Sequence, residues 1–125
     1  MHSGTCLCGS VTFEVVGNIP PASVCHCGQC RKQSGHVWAS AFVPDSQFTF
    51  TNDAGLKWFA ASETAKRGFC QDCGSFLFWK HVDEDTISFS MGSLASPTGL
   101  KLGRHIFVAD KGDYYDITDD LPQKP

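Results

Sequence analysis

The sequence has no apolar run approaching the ~18 residues of a membrane-spanning helix, so no membrane span is expected. It has no surplus of positive charge either: ten Lys and Arg stand against thirteen Asp and Glu, a formal net charge of -3. That argues against a nucleic-acid partner, which calls for a basic face. The opening residues, Met1-His2-Ser3-Gly4, carry neither a basic stretch nor an apolar one, and no secretory signal is expected there. No G-x-S-x-G, P-loop or H-E-x-x-H pattern occurs, which removes the common serine-hydrolase, phosphate-binding and metalloprotease readings. Charged residues are sparse at 18%, while apolar residues reach 42%. A disordered chain shows the reverse balance. The 125 residues suffice for one domain with a small core.

Helix signals are scarce as well. The best lies over Gln29 to Ser34, two turns at most, closed by Gly35. The remainder reads as short strands between turns. Val11, Phe13 and Val15 alternate with Thr12 and Glu14, the pattern of a half-buried strand. Val37 to Val43 reads as a more buried one. Phe48 to Thr51, Leu56 to Ala60, Phe76 to Lys80, Thr86 to Met91 and His105 to Val108 complete the set. The class expected is mostly β, with the sheets packed as a sandwich or barrel-like body. The aromatics Trp38, Phe42, Trp58, Phe59, Phe78 and Trp79 are expected in the core. The tail from Asp119 to Pro125 is expected to be irregular.

What the chain does have is cysteine. There are seven, an odd number that a full set of disulfides would not use up. With no secretion signal, a reducing cytoplasmic location is expected, where disulfides are rare. The seven fall into three groups: Cys6-x-Cys8, Cys25-x-Cys27-x-x-Cys30 and Cys70-x-x-Cys73. None sits alone in an apolar run as a buried structural cysteine does. On an extended chain, residues i and i+2 point to one face, so a C-x-C offers both sulfurs to one ion. A C-x-x-C closes around an ion through a tight turn, and Gly74 after Cys73 suits such a turn.

Zinc takes four protein ligands in a closed structural site and about three where one position is left open for chemistry. Seven divides naturally as four plus three. Cys25, Cys27 and Cys30 then form a local open site, and Cys6, Cys8, Cys70 and Cys73 a closed one. The competing division is a zinc ribbon from Cys27/Cys30 and Cys70/Cys73, which leaves Cys6, Cys8 and Cys25 without a role. A centre of three thiolates suits a fourth soft ligand, such as a substrate thiolate, better than it suits hydrolysis. The helix expected after Cys27 would set its N-terminus beside that ion, and Arg31 and Lys32 are candidates for holding the carboxylates of an anionic thiol. His26, between two ligands, faces away from their ion, at the surface or behind the site. His36, His81 and His105 lack ligand spacing.

Three blocks carry a resemblance: Gly4-Thr5-Cys6-Leu7-Cys8-Gly9-Ser10, Cys25-His26-Cys27-Gly28-Gln29-Cys30-Arg31, and Arg67-Gly68-Phe69-Cys70-Gln71-Asp72-Cys73-Gly74. In these the chain resembles the glutathione-dependent formaldehyde-activating enzyme family, which also includes centromere protein V. The resemblance implies small antiparallel sheets around zinc, the Mss4-like or β-tent architecture, over one domain of residues 1–125. It implies structural zinc on Cys6, Cys8, Cys70 and Cys73 and a second, open and labile zinc on Cys25, Cys27 and Cys30. It implies a carbon–sulfur lyase activity on a small thiol such as glutathione, joined to formaldehyde or a related aldehyde. Where the family often carries Trp near its end, this chain has Tyr114. The rival expectation is a non-catalytic, zinc-stapled binding module; a weaker third is a thiol-redox or metal-carrying protein using Cys27 and Cys30.

Overall fold

The computed structural model describes residues 1–125. Ten strands dominate: β1 (His2–Thr5), β2 (Thr12–Val15), β3 (Ala22–Cys25), β4 (Trp38–Pro44), β5 (Phe48–Asn52), β6 (Leu56–Ala60), β7 (Ala65–Cys70), β8 (Phe76–His81), β9 (Thr86–Ser90) and β10 (Leu102–Ile106). One α-helix, α1 (Gly28–Ser34), follows β3; two short 3-10 turns sit between strands and a third follows β10. No helix is long and apolar enough to cross a membrane.

The strands form a three-stranded sheet, β1-β2-β5, and a seven-stranded sheet, β10-β3-β4-β9-β8-β7-β6. Every pairing is antiparallel except β10 beside β3. Alternation builds the core between the sheets. Val11, Phe13 and Val15 are buried from the small sheet, and Phe78, Ile87 and Phe89 from the large one. Phe13 stacks on Phe48 at 5.0 Å between centroids and meets Phe78 edge-on at 5.2 Å. Each such ring stabilises by about 1.5–3 kcal/mol when fully buried.

The same alternation corrects two expectations. Phe42 is 47% exposed because its neighbours Ala41 and Val43 take the inner face of β4. Phe59, on the edge strand β6, is 59% exposed. Strands β1, β3 and β7 were not legible: β1 is polar, β3 is four residues buried throughout, and β7 begins Ala-Lys-Arg-Gly. The tail is also more ordered than expected. His105 N–H donates to Pro122 O at 2.8 Å, and Lys124 N–H donates back to His105 O at 2.9 Å, laying the tail beside β10.

Candidate metal centres and active site

All seven cysteines are free thiols, and they gather in two places. Cys6, Cys8, Cys70 and Cys73 form one cluster and Cys25, Cys27 and Cys30 the other, the sulfurs of each lying within 4.8 Å of one another. The two C-x-x-C pairs therefore sit apart, one in each cluster, and the ribbon arrangement of Cys27/Cys30 with Cys70/Cys73 is not what the fold brings together.

The four-cysteine cluster joins two turns. Cys6 and Cys8 lie in the loop between β1 and β2, closed by Cys6 N–H donating to Val11 O at 2.9 Å. Cys70 ends β7 and Cys73 lies in the turn to β8, where Gly74 N–H donates to Cys70 O at 2.7 Å. Gly74 takes φ of 80°, a left-handed backbone that glycine adopts without strain. Since β1 and β8 belong to different sheets, the cluster ties the sheets together. The sulfurs of Cys6 and Cys8, and of Cys8 and Cys70, are 3.7 Å apart. Four sulfurs ~2.3 Å from one tetrahedral centre stand ~3.8 Å apart, so the spacing fits a metal ion such as zinc. Burial pushes the Cys70 thiol up to about 11, while the hydroxyl of Ser75, 3.2 Å from Cys73 Sγ, pulls that thiol down to about 5. Val11 N–H also donates to Cys6 Sγ at 3.3 Å.

The three-cysteine cluster is local. Cys25 ends β3, Cys27 is the N-cap of α1, and Cys30 lies in its first turn. Cys27 Sγ accepts the Cys30 N–H at 3.3 Å, the hydrogen bond an N-cap side chain makes. Gly35 closes the helix with φ of 90°. Trp38 covers Cys25 and Cys30, with Phe76, Trp79 and Ile106 packed around them. Buried Trp38 Nε1 has no hydrogen-bond partner, so this apolar wall holds one unspent donor. The neighbouring Cys25 thiol and the Arg67 guanidinium hold the Cys30 thiol down at about 6, while the neighbouring Cys30 and burial push Cys25 up.

Arg67 is the functional residue that sequence reasoning passed over. It stands in the third block, three residues before Cys70. On a strand, an odd offset points side chains to opposite faces, so β7 sends Cys70 to one cluster and Arg67 to the other. Its Nη1 and Nη2 donate to Cys30 Sγ at 3.6 and 3.5 Å.

The expected cation pair divides. Arg31 Nη1 donates to Asp110 O at 2.8 Å and ties α1 to the segment after β10. Lys32 is exposed and lines a cavity of about 340 Å³ together with Gln29, Gln33, Phe59, Ala61 and Arg67. A larger cleft of about 490 Å³ runs past Thr5, Leu7, Ser75, Phe76 and Leu94, but no cationic side chain lines it.

His26 faces away from the sulfurs, as its place between two of them implies, but into the interior rather than to the surface. It is 2% exposed, with Nδ1 2.6 Å from Tyr115 Oη and Nε2 2.8 Å from His105 Nδ1. His105 Nε2 donates to the Asp119 carboxylate at 3.0 Å. Burial and the neighbouring His105 hold His26 below its ordinary pKa, so it is neutral near pH 7. This chain anchors the Cys25–Cys27 segment from behind. Tyr114 packs against His36, its hydroxyl 3.0 Å from Nδ1.

A mostly β body carrying one cluster of four thiols and one of three is a cysteine scaffold able to hold metal ions. More narrowly, the chain belongs to the glutathione-dependent formaldehyde-activating enzyme family, whose model matches residues 1–110. It is 26% identical over 121 residues to an uncharacterized lyase of Schizosaccharomyces pombe, covering 93% of this chain and 85% of that one. A crystal structure of a Rhodobacter sphaeroides protein superposes with a TM-score of 0.61 at 27% identity, covering 75% of this chain and 88% of that one. The family and the lyase-named relative support a glutathione-related, lyase-type role.

Proposed function

We propose that residues 1–125 form one zinc domain that acts as a carbon–sulfur lyase-type enzyme on the adduct of a small thiol, such as glutathione, with formaldehyde or a related aldehyde. In this reading Cys6, Cys8, Cys70 and Cys73 hold structural zinc, and Cys25, Cys27 and Cys30 hold a second, more labile zinc. The reducing cytoplasm is the compartment that suits seven free thiols. The observation that carries the reading is the three-sulfur cluster with Arg67 between it and a cavity that Lys32 lines. When bound there, zinc supplies a soft Lewis-acid position with one coordination direction left for a substrate sulfur.

The chain's own residues do the rest. Lys32, which makes no ion pair within the protein, faces the cavity and holds a carboxylate of the substrate. Gln29 and Gln33 line the same wall, and Phe59 offers an apolar floor to the substrate backbone. Trp38 and Phe76 shield the sulfurs from water on the interior side. The thiol gives up its proton, and its sulfur pair forms the C–S bond to the carbonyl carbon. The C=O π pair moves onto oxygen, which takes up a proton through solvent. Cleavage runs the same steps backwards.

The test is turnover. Zinc-loaded protein is expected to speed the formation or cleavage of S-hydroxymethyl-type adducts above the solution rate, and Cys30→Ser to abolish the acceleration while the melting transition is kept. Thiol binding with no acceleration for several aldehydes would sink the lyase reading and leave a binding module in its place.

A further inference from the structure

Arg67, on β7, is 5% exposed and brings a guanidinium cation into the interior. A buried cation needs a counter-charge. No carboxylate supplies it: the protein's two ion pairs are Lys80 with Asp45 and His105 with Asp119. What faces Arg67 is sulfur. Nη1 donates to Cys30 Sγ at 3.6 Å, and Nη2 donates to Cys30 Sγ at 3.5 Å and to Cys27 Sγ at 4.0 Å. The remaining donors go to side-chain amides, Nε to Gln29 Oε1 at 3.1 Å and Nη1 to Gln33 Oε1 at 3.4 Å. The guanidinium also lies 5.4 Å from the Phe76 ring centre, an apolar surface that strengthens its field toward the sulfurs.

An arginine offers five N–H donors in a fixed fork. Here all five are spent inside the protein, so Arg67 has none left for a substrate carboxylate. Its charge is directed at Cys27 and Cys30. Three thiolates around a divalent ion leave one surplus negative charge, and one arginine cancels it. The four-cysteine cluster has no such partner; its sulfurs take hydrogen bonds from Val11 N–H and contacts from the Ser10 and Ser75 hydroxyls.

We infer that Arg67 is the built-in counter-ion of the three-cysteine centre, a positioning residue that brings the loaded centre to zero net charge and so lets a fourth, anionic sulfur approach it. The inference rests on the function proposed above for that centre. Gln29 and Gln33, one helical turn apart on α1, hold the fork in register with the sulfurs. A lysine would supply the charge without the fork.

The experiment uses the full chain with both clusters loaded with cobalt, and compares wild type with Arg67→Met and Arg67→Lys. Three quantities are read: the energy of the thiolate-to-cobalt charge-transfer band, the chelator concentration that removes the more labile ion, and the affinity for glutathione. Loss of a hydrogen-bonded partner behind a ligand set typically weakens metal binding about 10–100-fold. Arg67→Met is therefore expected to release its labile ion at least about tenfold more readily, to shift the band to lower energy, and to bind glutathione at least about tenfold more weakly. Arg67→Lys is expected to recover most of the band position and affinity. The ion of the four-cysteine cluster and the far-ultraviolet circular dichroism report folding independently.

A folded Arg67→Met with unchanged band and unchanged chelator midpoint would overturn the inference. So would Arg67→Lys behaving like Arg67→Met, since a purely steric role gains nothing from charge. If Arg67→Met is insoluble, Arg67→Lys decides alone: a near-native band supports the counter-ion and a fully shifted one overturns it. The band and the chelator midpoint involve no thiol. Failure of the wild type to bind glutathione would therefore strike the proposed function while these two readouts still decide the role of Arg67.

Discussion

The two cysteine clusters use the same atoms for opposite ends. One draws sulfurs from loops that are more than sixty residues apart and belong to different sheets; the other takes all three from six consecutive positions. The first has Cys6 and Cys70 embedded in the main core beside Val11, Phe13 and Leu77. The second has its own small apolar shell and a buried cation. A long-range cluster constrains the chain, because it ties segments of both sheets to one point. A local cluster constrains little and can give up or accept a ligand without the fold following. In the proposed function, sequence separation divides the structural task from the chemical one.

The hardest blow to that contrast is Cys70→Ser. Structural zinc contributes about 10–16 kcal/mol apparent in small metal-dependent domains. That matches or exceeds the ~5–15 kcal/mol by which whole domains are stable. Cys70→Ser is expected to give insoluble protein, or soluble protein without a cooperative melt by near-ultraviolet circular dichroism. Cys27→Ser, in the local cluster, is expected to keep a cooperative transition. Equal, native-like melts for the two variants would erase the distinction between staple and open site.

A milder challenge is metal removal. Protein purified without chelator is expected to carry between one and two zinc ions per chain. Titration with a mild chelator is expected to release the ion of Cys25, Cys27 and Cys30 first, with no change in secondary structure. The ion of Cys6, Cys8, Cys70 and Cys73 should leave only with unfolding, since four ligands hold it and link the two sheets. Release of both in one step, together with unfolding, would show that the clusters are energetically one unit.

Much of this was legible because cysteine spacing reports geometry directly. The helix over Gln29–Ser34 and the strands around Phe13, Phe78 and Phe89 followed from caps and alternation. Other features had no local signal. Strand β3 is buried on both faces, paired between β10 and β4, so its four residues show no alternation. Phe42 and Phe59 read as core by composition, yet strand phase and an edge position turn them outward. Arg67 carried a faint signal, its odd offset from Cys70 on a strand. The His26–His105–Asp119 chain spans more than ninety positions, and nothing in the spacing of those residues announces it.

That chain offers the smallest effect and the sharpest pH signature. Asp119 accepts Leu121 N–H at 3.0 Å and His105 Nε2–H at 3.0 Å, and these bonds, in that order, hold its carboxyl below the ordinary 3.8. As pH falls, the unfolded chain takes up the proton before the folded one. The contribution of Asp119 is therefore whole above about pH 4 and is lost as pH drops through the lower folded value. Asp119→Asn is expected to lower the melting temperature by a few degrees at pH 7, since the carboxylate is half exposed and such pairs are screened. The gap between wild type and variant should narrow toward pH 3. Acid also strips metal from thiolates, but it does so in both proteins, so the gap and not the absolute temperature is the reading. A constant gap from pH 7 to pH 3 would mean that Asp119 acts through packing alone. Because the tail lies behind the Cys25–Cys27 segment and touches no sulfur in either cluster, the same variant should leave the chelator midpoints of both ions unchanged.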